Sequence, residues 1–378
     1  ADYYLHGLEL DGTDIRLNNG YGLLLYRRGR VKESIRYFRA AVKKQTWKNP
    51  NPYQGECYFN LGLALAADGQ EQEAFDAFYK STWSAETQSA GFFWLARLAC
   101  RRGDYEEALE YVEKSLIRNW HNMNGRTLKA ALLRKLGADA AGFVRECLAI
   151  DPLSQGCLYE QAMADGSEEL WLRTMRTESH NFKELAQEYI EAGLYEDAVH
   201  ILEACPEKDP VCRYMLGYIA AQQGEKEKAA EAFEKGEATC PDYCFPNRVE
   251  EIRILESAIA GLAKAPMAHY YLGNLLYDKK QYTQAARHWE AATKEKEDLS
   301  PAYRNLAIFC YNKENDSEKA LELMEKACAL DPEYPRIWLE YDQLAARMNL
   351  PVAKRLEVME AHPAVTAGRD DLYLRYLT

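Results

Sequence analysis

The chain has 378 residues and a formal net charge of −12 at pH 7, with charged residues making up 28% of the sequence. An acidic surface of this kind does not favour nucleic acid or an anionic membrane as a partner, although it leaves room for a local basic groove. No apolar run approaches the length that crosses a bilayer, and none of the ten cysteines forms a C-x-x-C pair. We therefore expect a cytoplasmic protein with free thiols, no membrane contact and no nucleic-acid partner.

The chain begins with ten residues that are typical of the last turns of a helix, and the first complete helix pair starts near Ile15. The segment TWKNPNPYQG follows this pair at 46–55, and its prolines indicate an ordered loop rather than a helix.

The next segment, from Gly55 to Ser81, is the clearest helix pair in the sequence. Its apolar residues recur at three- and four-residue spacing in two runs, which indicates two amphipathic helices. Gly69 separates the runs at the point where a left-handed residue ends a helix. Gly62 and Ala74 are small enough to let the two helices cross closely, and Phe78 fills the gap against the next pair.

The same pattern recurs along the chain, and one pair cannot bury its apolar face alone, so the copies must stack. The predicted organisation is a first arc at 1–152 with units near 15–48, 55–86, 89–120 and 123–152, an irregular helical joint at 153–178, and a second arc at 179–378 with an extra long helix near 247–264 and a truncated last repeat.

An aromatic residue, Leu-Gly, a large residue three further on and then Ala-x3-Phe resemble the tetratricopeptide repeat (TPR). The resemblance covers nearly the whole chain. It implies an all-α fold, a right-handed α-α superhelix in two arcs, and a non-enzymatic protein-interaction scaffold.

A narrower resemblance rests on KNPNPYQGE, on the YFNLGLAL that follows it, and on FYKSTWSAETQSAGFFWLA. These segments are similar to the TPR region of large bacterial proteins that carry an N-terminal β-rich domain of unknown function. Both ends of the sequence look cut through repeats, because solenoids need polar caps and Tyr373 and Leu377 are not polar. We therefore expect a fragment of a larger protein, with self-association through its cut ends.

Sequence signatures of enzymes are absent, since the chain contains no G-x-S-x-G, no H-E-x-x-H and no phosphate-binding loop motif. Gly20 and Gly22 begin like a dinucleotide fingerprint, but Leu25 stands where the third glycine belongs. The sequence therefore predicts no enzymatic activity and no cofactor.

Metal binding has little support in the sequence. The cysteine-rich stretch contains Cys205, Cys212, Cys240 and Cys244, and no histidine has matching spacing. His269 and His288 are read as isolated packing or surface residues. We therefore expect no metal site.

The resemblance also implies which residues face the inner groove of the superhelix, because fixed places of each first helix line it. Arginine and aromatic residues are frequent there. Arginine suits carboxylates, and aromatic rings give contact area at low entropic cost. The predicted partner-binding residues are Arg27, Phe59, Asn60, Phe93, Arg97, Arg101 and Arg134 in the first arc and Tyr214, Tyr218, Tyr270, Asn274, Tyr277, Arg304 and Asn305 in the second.

These residues predict a partner that is an acidic protein segment with an apolar anchor, supplied by another protein or by a missing N-terminal domain of the same chain. One alternative is that the aromatic residues only pack between neighbouring helices. Another is an accessory TPR region of a carbohydrate-active or carbohydrate-binding protein, with the aromatic groove contacting sugar.

The clamp by which some TPR modules hold the carboxylates of chaperone tails is incomplete here. Asn60 fits one asparagine place, but Asn19 and Leu23 stand where lysine and asparagine are needed, and Tyr270 replaces the lysine in the second arc.

Overall fold

The computed structural model describes residues 1–51, 54–206, 209–239 and 244–377, and every regular element in these ranges is helical. This confirms the predicted all-α fold. The chain divides into two compact units, Ala1–Glu225 and Lys226–Thr378. Nowhere in these ranges is a helix long and apolar enough to cross a bilayer. Pro52 and Tyr53 of the predicted loop, and Cys240 of the cysteine-rich stretch, lie outside the described residues.

The first unit consists of consecutive helices that pack mainly against their neighbours in sequence. These are α1 Asp2–Leu10, α2 Ile15–Arg27, α3 Val31–Gln45, α4 Glu56–Ala67, α5 Glu71–Ser81, α6 Gln88–Arg101, α7 Tyr105–Arg118, α8 Met123–Lys135, α9 Ala141–Ile150, α10 Gln155–Asp165, α11 Glu169–Met175, α12 Ser179–Glu191, α13 Tyr195–Glu203 and α14 Pro210–Gln222.

The second unit is also built of consecutive helices, and a π-helical turn, Cys310–Glu314, lies directly after α19. Its helices are α15 Lys226–Ala238, α16 Glu250–Gly261, α17 Pro266–Asp278, α18 Tyr282–Glu295, α19 Ser300–Phe309, α20 Ser317–Leu330, α21 Pro335–Arg347, α22 Val352–Ala361, α23 Pro363–Ala367 and α24 Asp370–Leu377.

The close crossing predicted within each pair is present. A Cβ atom at Gly62 on α4 would lie 2.7 Å from the ring of Phe78 on α5, so only glycine allows this approach. Gly22 and Phe38 repeat the contact one pair earlier. The aromatic rings then belong to a buried apolar cluster that also contains Leu65. Repetition of this helix pair along the chain builds one core that continues from each pair to the next.

The turn inside each pair also follows the prediction, since Gly69 has a φ of +79° after α4. In this left-handed conformation a side chain would be strained. The same conformation recurs between the two helices of other pairs, at Gly29, Gly103, Gly137 and Gly193.

The predicted joint at 153–178 contains α10 and α11, and both belong to the first unit. Helix α11 falls in the segment SEELWLRTMR that was expected to hold a short helix. It buries Trp171, whose ring packs 5.1 Å from that of Tyr159 on α10. The helix predicted near 247–264 corresponds to α16, which is 12 residues long. The division of the chain into two arcs at 153–178 stays a prediction.

Candidate functional site

A cleft of about 310 Å³ opens inside the first unit, between α6, α8, α10 and α12. This volume is at the lower end of the range for ligand pockets. Two residues predicted from the sequence, Phe93 and Arg97, form part of its wall. Other lining residues are Asn124, Thr127, Gly156, Leu185 and Glu188. We refer to this space as the α6–α12 cleft.

Arg97 lies at the side of the cleft and is only 6% exposed. Its guanidinium forms an ion pair with Glu188 of α12. The same group lies over the rings of Phe93 and Trp94, at 4.4 and 4.9 Å from their centroids. Arg97 is thus already neutralised and stacked by residues of its own unit.

Arg101 joins the end of α6 to the end of α12. Its Nε donates to the backbone oxygen of Glu191 at 2.7 Å, and a second nitrogen donates to the Glu191 carboxylate at 2.6 Å. Gly193 follows in the turn after α12, and a Cβ atom there would lie 2.9 Å from the Cα of Arg101. The end of α12 therefore packs against the end of α6 through a close backbone contact as well as through the Arg101–Glu191 ion pair.

Arg134 on α8 forms the centre of a buried ionic network. It donates two hydrogen bonds to Glu160, at 2.8 and 3.0 Å, and a third to Asp197 at 2.7 Å. The hydroxyl of Tyr189 donates to Glu160 at 2.6 Å, and that of Tyr159 donates to Asp197 at 3.1 Å. Burial raises the pKa of Glu160 above its ordinary value, and the Arg134 guanidinium opposes this shift.

The premise that these arginines wait for an anionic partner is therefore wrong. Carboxylates of the same unit already pair with all three, from α12 for Arg97 and Arg101 and from α10 and α13 for Arg134. Charges lining the cleft are one guanidinium, Arg97, and the carboxylates of Asp151, Glu184 and Glu188. The sequence contained one indication of this pairing. Glu188 and Glu191 are three residues apart, so their carboxylates share one face of α12, just as Arg97 and Arg101 share one face of α6.

The other predicted residues of the first arc differ in exposure. Arg27 is exposed and has no ion-pair partner among the described residues. Phe59 is half-buried and packs 5.7 Å from the ring of Phe78. Asn60 is buried and donates to the side chain of Asn19 at 3.0 Å, so it links α4 to α2 instead of facing a partner.

Four tyrosines were assigned to the second arc. Tyr214 is completely buried, which makes it a packing residue. Tyr218 and Tyr270 are half-buried. Tyr277 is also half-buried and packs against Tyr282, with 4.9 Å between the ring centroids. The aromatic places of the predicted groove thus serve largely as packing between helices.

The polar residues predicted in the second arc bind one another. Asn305 on α19 donates to Asn274 on α17 at 2.8 Å, and Asn274 also accepts from Trp289 at 3.0 Å. Arg304 forms a two-pronged ion pair with Glu340 of α21. These contacts hold successive inner helices together within the second unit.

Sequence reasoning missed a row of exposed tryptophans along the first unit. One tryptophan follows each of α3, α5 and α7, and their spacing is 36 and then 37 residues. A cation lies over each ring, at 3.8 to 4.9 Å from the centroid. The row consists of Trp47, Trp83 and Trp120, which are 73%, 52% and 54% exposed. Regular spacing in the sequence was the signal that could have revealed it.

The two histidines predicted to be isolated are in fact in contact. Nδ1 of His269 and Nδ1 of His288 are 2.8 Å apart. Burial lowers the pKa of both, and that of His288 falls to about 4. Two rings alone do not make a metal centre, and within the described ranges no three potential ligands come together to hold an ion.

Comparison with known families decides the classification. A tetratricopeptide repeat model matches residues 19–86, 183–243 and 270–335, just over half of the chain. The chain belongs to the tetratricopeptide repeat family. A second tetratricopeptide repeat model matches 90–114. TPR proteins bind peptides or other proteins, so the coarse prediction of a protein-interaction scaffold is supported.

Solved TPR structures resemble parts or most of the chain. A tetratricopeptide repeat protein from Parabacteroides merdae is 19% identical, over 65% of this chain and 98% of that one, with a TM-score of 0.40. YrrB, described as a TPR protein with an unusual peptide-binding site, is 16% identical, over 63% and 97%, with a TM-score of 0.25. Yeast Tom70 is 12% identical, over 96% and 94%, with a TM-score of 0.31.

Proposed function

We propose that this TPR protein is a non-enzymatic scaffold that docks a segment of another protein in the α6–α12 cleft. The observation that carries the proposal is the composition of the cleft wall. Phe93, Leu128 and Leu185 provide an apolar lining, while Asn124 and Gln155 provide amide groups. An apolar pocket with a few polar groups is the usual form of a binding site for an anchoring side chain.

The charge of the cleft argues for a different partner from the acidic one expected from the sequence. Arg97 is already paired with Glu188, and Asp151 and Glu184 add two further carboxylates. An acidic segment would be repelled by these groups. We therefore propose a neutral or basic segment that inserts one aliphatic or aromatic side chain.

Selection of random displayed peptides against the whole protein tests this proposal. Asn124 is exposed in the first turn of α8, so Asn124→Trp should fill the cleft mouth without disturbing the core. We expect the selected peptides to lose at least about tenfold in affinity for this variant, since blocking an anchor pocket costs about 1.4 kcal/mol or more. Fluorescence anisotropy measures the affinities.

Glu106→Trp is the matched control, because Glu106 is exposed in the first turn of α7 and does not line the cleft. Thermal unfolding shows whether both variants keep the parent fold. Peptides that bind all three proteins equally would contradict the cleft as the docking site. Selection of acidic peptides that lose affinity for Asn124→Trp would keep the site and overturn the proposed partner charge.

The carbohydrate alternative keeps one favourable observation, which is the row of Trp47, Trp83 and Trp120. Flat exposed rings offer a surface for the apolar faces of sugar rings, whereas the completely buried Tyr214 cannot. If this second candidate function holds, oligosaccharides at millimolar concentration should change the tryptophan fluorescence of the parent. The change should be lost in Trp83→Ala and kept in Tyr277→Ala. An unchanged spectrum across a panel of neutral and acidic oligosaccharides would exclude it.

The narrower resemblance to bacterial proteins with a β-rich domain stays a prediction. The same holds for the cytoplasmic location, which the free thiols of the described cysteines suit.

A further inference from the structure

Another cavity, of about 490 Å³, lies inside the second unit between α20, α21 and α22. This volume is within the range of about 300–1,000 Å³ that is usual for sites that bind small molecules. Trp338 and Tyr341 of α21 provide two aromatic rings of the lining, and His362 adds a third ring directly after α22. We refer to this space as the α20–α22 cavity.

The Trp338 ring is held in place by its neighbours. Its Nε1 donates to the backbone oxygen of Pro332 at 2.9 Å. The centroid of the His362 ring lies 4.2 Å from that of Trp338, and the Tyr341 ring lies edge-on at 6.1 Å. The cavity therefore has a fixed indole surface in its wall, and tryptophan is the side chain whose ring attracts cations most strongly.

Tyr341 brings to the cavity a polar atom that the protein itself does not use. The residue is only 9% exposed, yet its hydroxyl forms no hydrogen bond with any other described residue. This oxygen is not one of the unpaired polar atoms that are sealed in the core, so a ligand in the cavity can reach it. Burial raises the pKa of Tyr341 and the charge of Glu325 raises it further, so the hydroxyl stays protonated at neutral pH. It can therefore accept a hydrogen bond without carrying a charge.

Two carboxylates line the cavity from different helices, Glu325 on α20 and Glu357 on α22. Neither forms an ion pair with a described residue. No lysine or arginine is part of the lining. Lys326, the neighbour of Glu325, instead places its Nζ over the Tyr303 ring, 4.2 Å from the centroid. The cavity is thus complementary in charge to a cation.

We propose that the α20–α22 cavity binds an alkylammonium group. The aliphatic chain packs on the Trp338 indole, the ammonium faces the two carboxylates, and one N–H donates to the Tyr341 hydroxyl. A protonated primary amine suits this site better than a quaternary ammonium, because only the former has N–H groups to donate. Free alkylamines and lysine side chains both carry this group, and the experiment distinguishes these sources. The inference goes beyond the proposed docking function and does not depend on it, since the cavity lies in the second unit.

Isothermal titration calorimetry of the native full chain tests the inference with three probes. These are n-butylammonium, the neutral n-butanol, and an acetylated and amidated tripeptide with lysine between two glycines. We expect saturable binding of butylammonium that weakens with added salt, and no binding of butanol. Tighter binding of the tripeptide would assign the group to a lysine side chain, and weaker binding would assign it to a free amine. Absence of saturable binding for both amines, or equal binding of butanol, would overturn the proposal.

Removal of the two carboxylates locates the bound amine. Glu325→Gln combined with Glu357→Gln should weaken butylammonium binding at least about fivefold, because each partly exposed charge contributes a modest factor and the two combine. The matched control is Glu322→Gln combined with Glu360→Gln, which removes the same charge from exposed positions of the same helices outside the cavity. Equal losses in the two double variants would mean that the amine responds only to the net charge of the protein, and the site would be wrong.

Tyr341→Phe tests the hydroxyl, because it keeps the ring and removes only the oxygen. Thermal unfolding checks that the variant keeps the parent fold. Binding of butylammonium should weaken roughly threefold, as expected for the loss of one hydrogen bond. Binding of butyltrimethylammonium, which has no N–H group, should not change. The same response for both cations, whether a loss or none, would contradict the proposed hydrogen bond.

Discussion

Arg134→Met is expected to lower the free energy of unfolding by about 3–5 kcal/mol, because it leaves the buried Glu160 carboxylate without its counter-charge, whereas Asp197 keeps Lys135. Glu160 is 1% exposed and accepts two hydrogen bonds from the Arg134 fork, while Asp197 accepts a third. Methionine keeps much of the side-chain volume but supplies no donors. The loss therefore measures the unpaired charge of Glu160 rather than a cavity.

The penalty should depend on pH in a defined direction. Burial raises the pKa of Glu160, and Arg134 acts against this, so its removal should raise the pKa further. A carboxyl group whose pKa is raised in the folded state destabilises that state when it is ionised. The deficit of the variant should thus be complete above the folded pKa of Glu160 and should shrink as the pH falls through it.

Urea unfolding of the parent and the variant between pH 8 and pH 5 measures both effects. Arg102→Met is the matched control, because Arg102 also pairs with two carboxylates, Asp104 and Glu107, but at the exposed surface. Exposed pairs contribute about 0–1 kcal/mol, so the control should lose little at any pH. Equal losses for the two arginines would show that the network around Arg134 is not a buried ionic centre.

The features that the sequence predicted well are those that one helix pair determines by itself. Gly69 takes a left-handed conformation and Gly62 admits Phe78, and both depend on residues within about twenty positions. Hallmarks of this kind recur in each copy, so the helix pairs and their stacking follow from the pattern.

The candidate site could be predicted only in part, because its contacts join residues far apart in sequence. Phe93 and Arg97 do line a cleft. Yet the carboxylates that neutralise Arg97 and Arg101 come from α12, about ninety positions later. Family geometry places a residue on a face of its helix, but it does not show which later helix lies opposite.

Gly193→Ala is the second change with a large expected effect, since two separate costs apply to it. Gly193 has a φ of +75°, and a side chain in this conformation costs roughly 1–3 kcal/mol. The added methyl would also lie 2.9 Å from the Cα of Arg101, a backbone atom that cannot turn away. Overpacking of this kind adds roughly 1–3 kcal/mol.

Gly103→Ala separates the two costs. Gly103 has a φ of +80° in the corresponding turn after α6, but an added Cβ there meets no atom within 4 Å. It should therefore suffer only the conformational strain, while Gly193→Ala should be less stable than Gly103→Ala by the overpacking term. Urea unfolding of the two variants at pH 7 measures the difference.

A shift of α12 that relieves the overlap at Gly193→Ala would also pull Glu191 away from Arg101. The sharper test is therefore Gly193→Ala in an Arg101→Ala background. If α12 is seated on α6 as described, the two changes should be clearly non-additive, since both act on one contact. Simple additivity, or equal losses at the two glycines, would mean that the turn after α12 does not rest on α6.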